Sequence, residues 1–358
     1  MPSLASLRRR AQPHKRARLS PIGFELAEHA LHAVQLAHDD PPVVKSFASV
    51  PYPVERAELL NSPTALKTFL KTAFKGAGFS GRKVVTALPV ADVKVMSVTY
   101  QARAGQSDDA AIARLMQDRI GEDLSQFVID YMPIRTETRE GDRLAMVFLS
   151  ERSTVVAYLE QLRKAGLDVV ALEVNAVSIR RLIATLIAAE KAPENVLVIN
   201  TGDTSTTLTM VSGRRLLFDQ TVEFGESSLL EQIAVALDSP QDVAREIVFR
   251  HGLHPQRDQS HVPEGIEDTT SSNMILTIAR PQFSNLVAEI RRAVLFASAE
   301  TRGGSIGHAF LMGSIANWPG AAELLSMLAE IPVDLPAPLP LDESLKAKHE
   351  AHPRPELV

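Results

Sequence analysis

The stretch from Val196 to Ser228 constrains the fold more than any other part of the chain. It reads as a buried apolar strand, a polar turn with one glycine and five hydroxyl residues, and a second strand. A Ser-Gly turn, a third strand and a Gly-Glu step into a helix follow. Glycine-containing turns between strands allow backbone N–H groups to approach an anion such as a phosphate. The turn that follows Asn200 therefore has the composition of an anion-binding loop.

Composition narrows the class of protein. A chain of 358 residues is long enough for two or more domains with their own cores. The absence of cysteine excludes disulfides, iron–sulfur clusters and cysteine-bound zinc, and it favours a reducing compartment. A net charge of −5 argues against a nucleic-acid partner. The longest apolar run, from Ile179 to Ala189, contains two arginines and is shorter than the roughly 18 residues that span a bilayer. We expect a cytoplasmic protein.

The sequence divides into two domains with a tail at each end. Residues 1–20 form a basic tail, residues 21–195 a first domain, residues 196–335 a second domain, and residues 336–358 a proline-rich tail. A small α+β subdomain is inserted in the first domain at about residues 83–172. The basic tail has two interpretations: a solvated, disordered segment, or a peripheral contact with an anionic inner-membrane surface.

Serine and glycine residues mark the two ends of one predicted helix. A helix is predicted to begin at Ser62 and to end at Gly76 and Gly78. In the second half, the polar residues from His254 to Ser272 lack periodicity and predict a long surface loop. A long helix then runs from Pro281 to Ala299.

The order of these pieces resembles one family. The matching segments are KVVTALPVADVKVMSVTY at 83–100, SERSTVVAYLEQLRKAGLDVVALEVNAVSI at 150–179, VLVINTGDTSTTLTMVSGRRLLFDQTVEFG at 196–225 and FLMGSIANWPGAAELL at 310–325. Together they resemble the actin-like family of PilM, the cytoplasmic type IV pilus assembly proteins, and FtsA. The resemblance covers about residues 22–335 and implies an α/β, actin-like (ribonuclease H-like) two-domain fold with a small SHS2-like α+β insertion in the first half.

Two relatives of that family fit less well. FtsA proteins end in an amphipathic membrane-targeting helix, whereas this chain ends in proline-rich polar sequence. GspL-like components of type II secretion platforms continue into a transmembrane helix, which this sequence lacks. The resemblance therefore favours the pilus branch, with the GspL-like reading kept as an alternative.

The first phosphate loop departs from the family pattern. The family's Asp-Ile-Gly and following lysine are matched here by Glu25, Leu26, Ala27 and His32. The carboxylate is one methylene longer, a Cβ stands where the glycine would admit a phosphate, and the lysine is lost. Glu28 adds a negative charge that repels phosphate. These four changes weaken the expectation of nucleotide binding.

The second loop is better preserved, although Asn200 stands where the family has an aspartate. If ATP with Mg²⁺ is retained as a ligand, the resemblance implies these nucleotide-binding positions: Glu25, Asn200, Gly202, Thr204, Ser205, Thr206, Gly225 and Gly313. The alternative is that these turns persist only because the strands need turns. We assign no catalytic residue and no metal site, and we expect at most weak ATP hydrolysis.

The resemblance also implies a function. Proteins of this family bind a short cytoplasmic tail of the inner-membrane protein PilN and connect it to other pilus assembly components, in a groove between the first-half core and the inserted domain. The sequence thus predicts a cytoplasmic scaffold, peripheral to the inner membrane, with an eroded nucleotide site. The alternative from another class is a nucleotide-binding actin-like ATPase.

Overall fold

The computed structural model describes residues 19–38, 42–103, 105–121, 123–135, 141–190, 195–254, 266–300, 304, 306–337, 339–342 and 345–346. The predicted basic tail lies almost wholly outside these residues. The chain forms two compact units. The first contains residues 1–86, 162–171 and 339–354, and the second contains residues 87–161, 172–338 and 355–358.

The first unit is built on a five-stranded sheet in the order β3-β2-β1-β4-β8. Its strands are β1 (Ile22–Leu26), β2 (Ala30–Ala37), β3 (Val43–Pro51), β4 (Lys83–Ala87) and β8 (Asp168–Glu173). β1, β2 and β3 are antiparallel neighbours, while β4 runs parallel to β1. Alternating buried residues on β1, such as Ile22, Phe24 and Leu26, give this sheet its core face.

Two helices, α1 (Arg56–Asn61) and α2 (Pro63–Ala77), follow the hairpins of the first unit. The Ser62 hydroxyl accepts a hydrogen bond from the Ala65 N–H and so caps α2, which confirms the predicted start. Gly78 ends the helix with φ of +76°, a left-handed conformation that favours glycine. Leu66 and Leu70 bury the inner face of α2.

The proline-rich segment is attached to the first unit where it is described. Leu341 forms a parallel bridge with Val44 on the outer strand β3, and the Val44 N–H donates to the Pro340 carbonyl at 2.8 Å. Lys45 and Asp342 form an ion pair at 3.0 Å. This contact covers part of a sheet edge that would otherwise present unpaired backbone groups.

The second unit contains a sheet with the same strand order, β11-β10-β9-β12-β13. Its strands are β9 (Asn195–Thr201), β10 (Thr206–Ser212), β11 (Arg215–Val222), β12 (His308–Gly313) and β13 (Val333–Asp334). Again the first three are antiparallel neighbours, and β12 runs parallel to β9. The predicted strand–turn–strand unit is therefore present twice, once at the start of each sheet.

Helices α5 (Asn175–Glu190), α6 (Glu226–Ala236), α7 (Gln241–His251), α8 (Ile266–Glu300) and α9 (Ala321–Ala329) complete this half of the chain. One side chain layer of the sheet, including Val196, Val198 and Val211, packs with Ile179 and Ile183 of α5. The opposite layer packs with α6 to α9 in the main core.

The predicted loop from His254 to Ser272 is wrong over its second part, because α8 already begins at Ile266. The predicted helix start at Pro281 is also wrong, because Pro281 lies inside a 35-residue helix. Ile275 and Ala279 are buried upstream of it at the same spacing as Phe283 downstream. Burial of that continuous apolar stripe outweighs the hydrogen bond that the proline removes. Residues 255–265 lie outside the described part.

The inserted subdomain has a three-stranded antiparallel sheet in the order β5-β7-β6. It consists of β5 (Lys94–Tyr100), β6 (Phe127–Arg135) and β7 (Arg143–Glu151), with α3 (Asp108–Ile120) on one face. Helix α4 (Arg152–Lys164) follows β7 directly. Ser107 is the N-cap of α3, and Gly121 ends the helix with φ of +68°. Burial raises the pKa of Tyr100 in this small core to about 12.

The opposite face of the inserted sheet joins the main core of the second unit. Met146 and Phe148 from β7 are in the same hydrophobic cluster as Leu208 and Met210 from β10. Contacts therefore group residues 87–161 with the second half of the chain, whereas chain order places them in the first half. The domain boundaries predicted from the sequence stay a prediction. Among the described helices, none combines the length and apolar character needed to cross a bilayer.

Candidate functional site

The first predicted phosphate loop is the turn between β1 and β2. Glu25 and His32 are cross-strand partners and both are exposed. The backbone of the turn is held from one side, since the Tyr52 hydroxyl donates to the Ala27 carbonyl at 2.9 Å and Arg56 Nε donates to the Leu26 carbonyl at 3.3 Å. The turn carries two acidic side chains and is ordered by contacts within the first unit.

In the second loop, residues 201–206, backbone carbonyls accept hydrogen bonds from amides of the loop and of the start of α6. The Gly202 N–H donates to the Ser205 carbonyl at 2.8 Å. The Glu226 N–H donates to the Gly202 carbonyl at 3.0 Å, and the Ser227 N–H donates to the Asp203 carbonyl at 2.9 Å. Ser227 also donates its hydroxyl to the Asp203 carboxylate. Donors at the start of α6, which would suit an anion, are thus bonded to the loop itself.

The hydroxyl residues of this loop differ in their burial and in their hydrogen-bond partners. Thr206 is fully buried and donates its hydroxyl to the Phe224 carbonyl at 2.7 Å. Thr201 donates to the Met312 carbonyl at 2.9 Å, and its oxygen accepts the Ile315 N–H at 3.0 Å. Thr204 is exposed. The buried threonines therefore connect strands, and Thr204 remains accessible to a ligand.

The predicted glycines Gly202, Gly225 and Gly313 all lie where backbone segments meet. A Cβ on Gly202 would lie 2.8 Å from the Ser205 carbonyl oxygen. On Gly225 it would lie 2.2 Å from the Asp203 oxygen, and on Gly313 only 1.9 Å from the Thr201 oxygen. Contacts inside the unit are therefore sufficient to explain the three glycines. Asn200 is half-buried at the end of β9, beside Thr207 of β10 and Met312 of β12.

Glu226 has a role that the sequence did not reveal. It follows Gly225 at the start of α6 and is only 7% exposed. Its carboxylate accepts hydrogen bonds from Trp318 Nε1 at 3.0 Å and from Arg245 at 2.6 Å. It thereby connects α6 to α7 and to the turn before α9. The one signal in the sequence was the chain's single tryptophan, which needs an acceptor when it is buried.

A second acid, half-buried, lies away from the loop. Asp219 on β11 faces Thr209 on β10, whose hydroxyl donates to it at 2.5 Å. Burial raises the pKa of Asp219 to about 6, and the Thr209 hydrogen bond acts in the opposite direction. This acid lies on the edge strand β11, paired with β10, and not in the loop.

The second unit also contains an apolar pocket, a cavity of about 210 Å³, whose lining residues the sequence did not identify. One wall is formed by the inserted sheet and α4, and the other by the end of β8 and the start of α5. Representative lining residues are Val128, Phe148, Ser150, Val155, Leu172 and Val177. β6 is an edge strand, so one border of the pocket is open. No motif marks these residues, because they come from five different elements, β6, β7, α4, β8 and α5.

Two carboxylates also line the pocket. Asp130 is exposed, and its side chain accepts the Tyr131 N–H at 2.8 Å. Glu173 accepts from Arg181 at 2.7 Å and from the Ser178 hydroxyl at 2.8 Å. Among the described lining residues there is no basic side chain. The pocket is therefore apolar inside with an acidic border.

The two five-stranded sheets of equal strand order, each beginning with a strand–turn–strand loop, define an actin-like α/β protein. Solved structures agree on the fold. A PilM–PilN type IV pilus biogenesis complex superposes with a TM-score of 0.68, at 23% identity over 91% of each chain. The ethanolamine utilization protein EutJ from Carboxydothermus hydrogenoformans gives 0.50, at 13% identity over 89% of this chain and 85% of its own.

The family model described as type IV pilus assembly protein PilM matches residues 23–343. The chain belongs to that family. The resemblance found in the sequence and the actin-like fold class are thus confirmed. A search of curated proteins found no significant match.

Proposed function

We propose that this chain is a scaffold protein of a type IV pilus or related assembly machine, which binds the cytoplasmic tail of a PilN-like inner-membrane protein. The observation that carries the proposal is membership of the PilM family over residues 23–343. The similarity in fold to a protein solved as a PilM–PilN complex supports the choice of partner. The protein would then act in the cytoplasm, peripheral to the inner membrane, with its basic N-terminal tail as a further membrane contact.

The apolar pocket is the surface that suits such a tail. It lies beside the inserted sheet, and the resemblance implies that the inserted domain forms one side of a peptide groove. Cytoplasmic segments next to membrane-spanning helices carry an excess of lysine and arginine. Asp130, exposed at the border of the pocket, complements that charge, while Phe148 and Val155 offer apolar contacts to the remaining side chains.

We expect Val128→Asp to weaken binding of a PilN-like peptide by about 30-fold or more. Val128 lines the pocket and is 38% exposed, so a carboxylate is tolerated in the folded protein but repels an apolar, cationic segment. Calorimetric titration with a synthetic N-terminal segment of the PilN-like protein from the same genome measures this. The matched control is Val156→Asp, at 48% exposure on α4 outside the pocket lining. Equal affinity of Val128→Asp and wild type would remove the pocket from the proposal.

We further propose that the nucleotide site is eroded. The amides of Gly202, Glu226 and Ser227 already donate to carbonyls of the second loop, which supports this proposal. The acidic side chains of Glu25 and Glu28 in the first loop also support it. Within the second loop, Asn200, Thr204 and Ser205 would contact any nucleotide that still binds there.

Accordingly, ATP with Mg²⁺ at 1 mM, the upper end of common KM values, should raise the melting temperature by less than about 1 °C. Affinity in the micromolar range would instead stabilise the protein by several RT, and hydrolysis above the buffer rate would favour the ATPase alternative. Gly202→Val serves as the comparison, since a shift that this variant abolishes would assign the binding to the second loop.

A further inference from the structure

Ser150 presents a buried hydroxyl without a partner. The residue lies on β7 opposite Val128 and is 7% exposed. Within the described part of the chain, its Oγ has no hydrogen-bond partner. A buried hydroxyl in that state costs about 1–3 kcal/mol. Such a group is uncommon in native proteins and calls for a physical explanation.

The hydroxyl lies in the wall of the apolar pocket. Its neighbours there on the inserted sheet and α4 include Val128, Phe148 and Val155, whose side chains cannot hydrogen-bond. The other polar side chains of the lining, Asp130 and Glu173, already accept the bonds described above. Ser150 is therefore the buried polar side chain of the described pocket wall whose hydrogen-bonding capacity is unused.

We propose that Ser150 is a specificity-determining residue of the apolar pocket, whose hydroxyl forms a hydrogen bond with the bound tail. A serine hydroxyl can donate and accept, so it can pair with a backbone amide group, a side-chain amide or a hydroxyl. The tail then carries a hydrogen-bonding group at the position above Ser150, between apolar contacts to Phe148 and Val155. A segment that is apolar at that position would leave the hydroxyl buried and unpaired, and it would be discriminated against. This inference rests on the proposed tail binding.

The bond predicts a specific pattern of affinities. With the synthetic PilN-like peptide as probe, Ser150→Ala should bind about tenfold more weakly than wild type, while Ser150→Thr keeps the hydroxyl and recovers much of the affinity. The melting temperature of free Ser150→Ala should be equal to or above that of wild type, because an unpaired hydroxyl is removed. A serine with a purely structural role would show the opposite change.

The partner group on the tail is found by an alanine and backbone-ester scan of the peptide. At one position, the substitution should weaken binding to wild type about tenfold and leave binding to Ser150→Ala unchanged. Ser239→Ala is the matched control. The Ser239 hydroxyl is also buried without a partner in the described structure, but it lies near α6 and α7, so its removal should not change peptide affinity.

The outcomes separate the two proposals. If wild type does not bind the peptide, tail binding itself fails. If Val128→Asp abolishes binding but Ser150→Ala binds like wild type, the pocket stands and the role of Ser150 is overturned. In that case the hydroxyl bonds to water in the pocket, since a cavity of about 210 Å³ has room for it.

Discussion

Gly313→Ala is expected to lower the free energy of unfolding of this protein by about 3 kcal/mol or more. Gly313 ends β12 in register with Thr201, at φ of +87°. An added Cβ would lie 1.9 Å from the Thr201 carbonyl oxygen and 2.8 Å from its nitrogen. Both are backbone atoms of the central strand β9, so they cannot move aside as a flexible side chain does. Conformational strain of about 1–2 kcal/mol adds to the cost of the clash.

Gly166→Ala separates these two contributions. Gly166 has φ of +93°, and a Cβ there would meet no atom within 4 Å. We therefore expect a loss of only about 1 kcal/mol from strain. Thermal denaturation of both variants followed by circular dichroism gives the comparison. Similar losses in the two variants would show that the close approach at Thr201 is not rigid.

Removal of the Glu226 carboxylate is the second change with a large expected effect. Glu226→Ala should lower the free energy of unfolding by about 3 kcal/mol. It leaves Trp318 Nε1 buried without an acceptor, removes the partner of Arg245, and opens a cavity at the start of α6. Glu226→Gln retains an acceptor for Trp318 at similar volume, so about 1 kcal/mol is expected.

The same helix offers a control for the Glu226 variants. Glu231 on α6 is exposed, and Glu231→Ala should change stability by less than about 0.5 kcal/mol. Urea denaturation can be followed by the fluorescence of Trp318, the single tryptophan, which contacts Glu226 directly. A small effect of Glu226→Ala would mean that the contacts of this acid with Trp318 and Arg245 contribute little.

Local pattern was enough for most elements. The start of α2 at Ser62 agrees with the prediction, since a serine cap before a helical pattern is a local signal. The predicted helix start at Pro281 is the main error, because the helix begins at Ile266. Its context is decided by the core, because Ile275, Ala279 and Phe283 form one buried stripe across it.

The candidate sites show the same difference between local sequence pattern and tertiary packing. The sequence by itself determined the two strand–turn–strand units and the family, because strand period, turn glycines and hydroxyl residues are local and ordered along the chain. Only the tertiary structure decided that Gly225 and Gly313 face backbone, that Glu226 bonds to Trp318, and that an apolar pocket surrounds Ser150. Each of these joins residues that are far apart in the chain. Their distances depend on how sheets and helices pack, which no local pattern records.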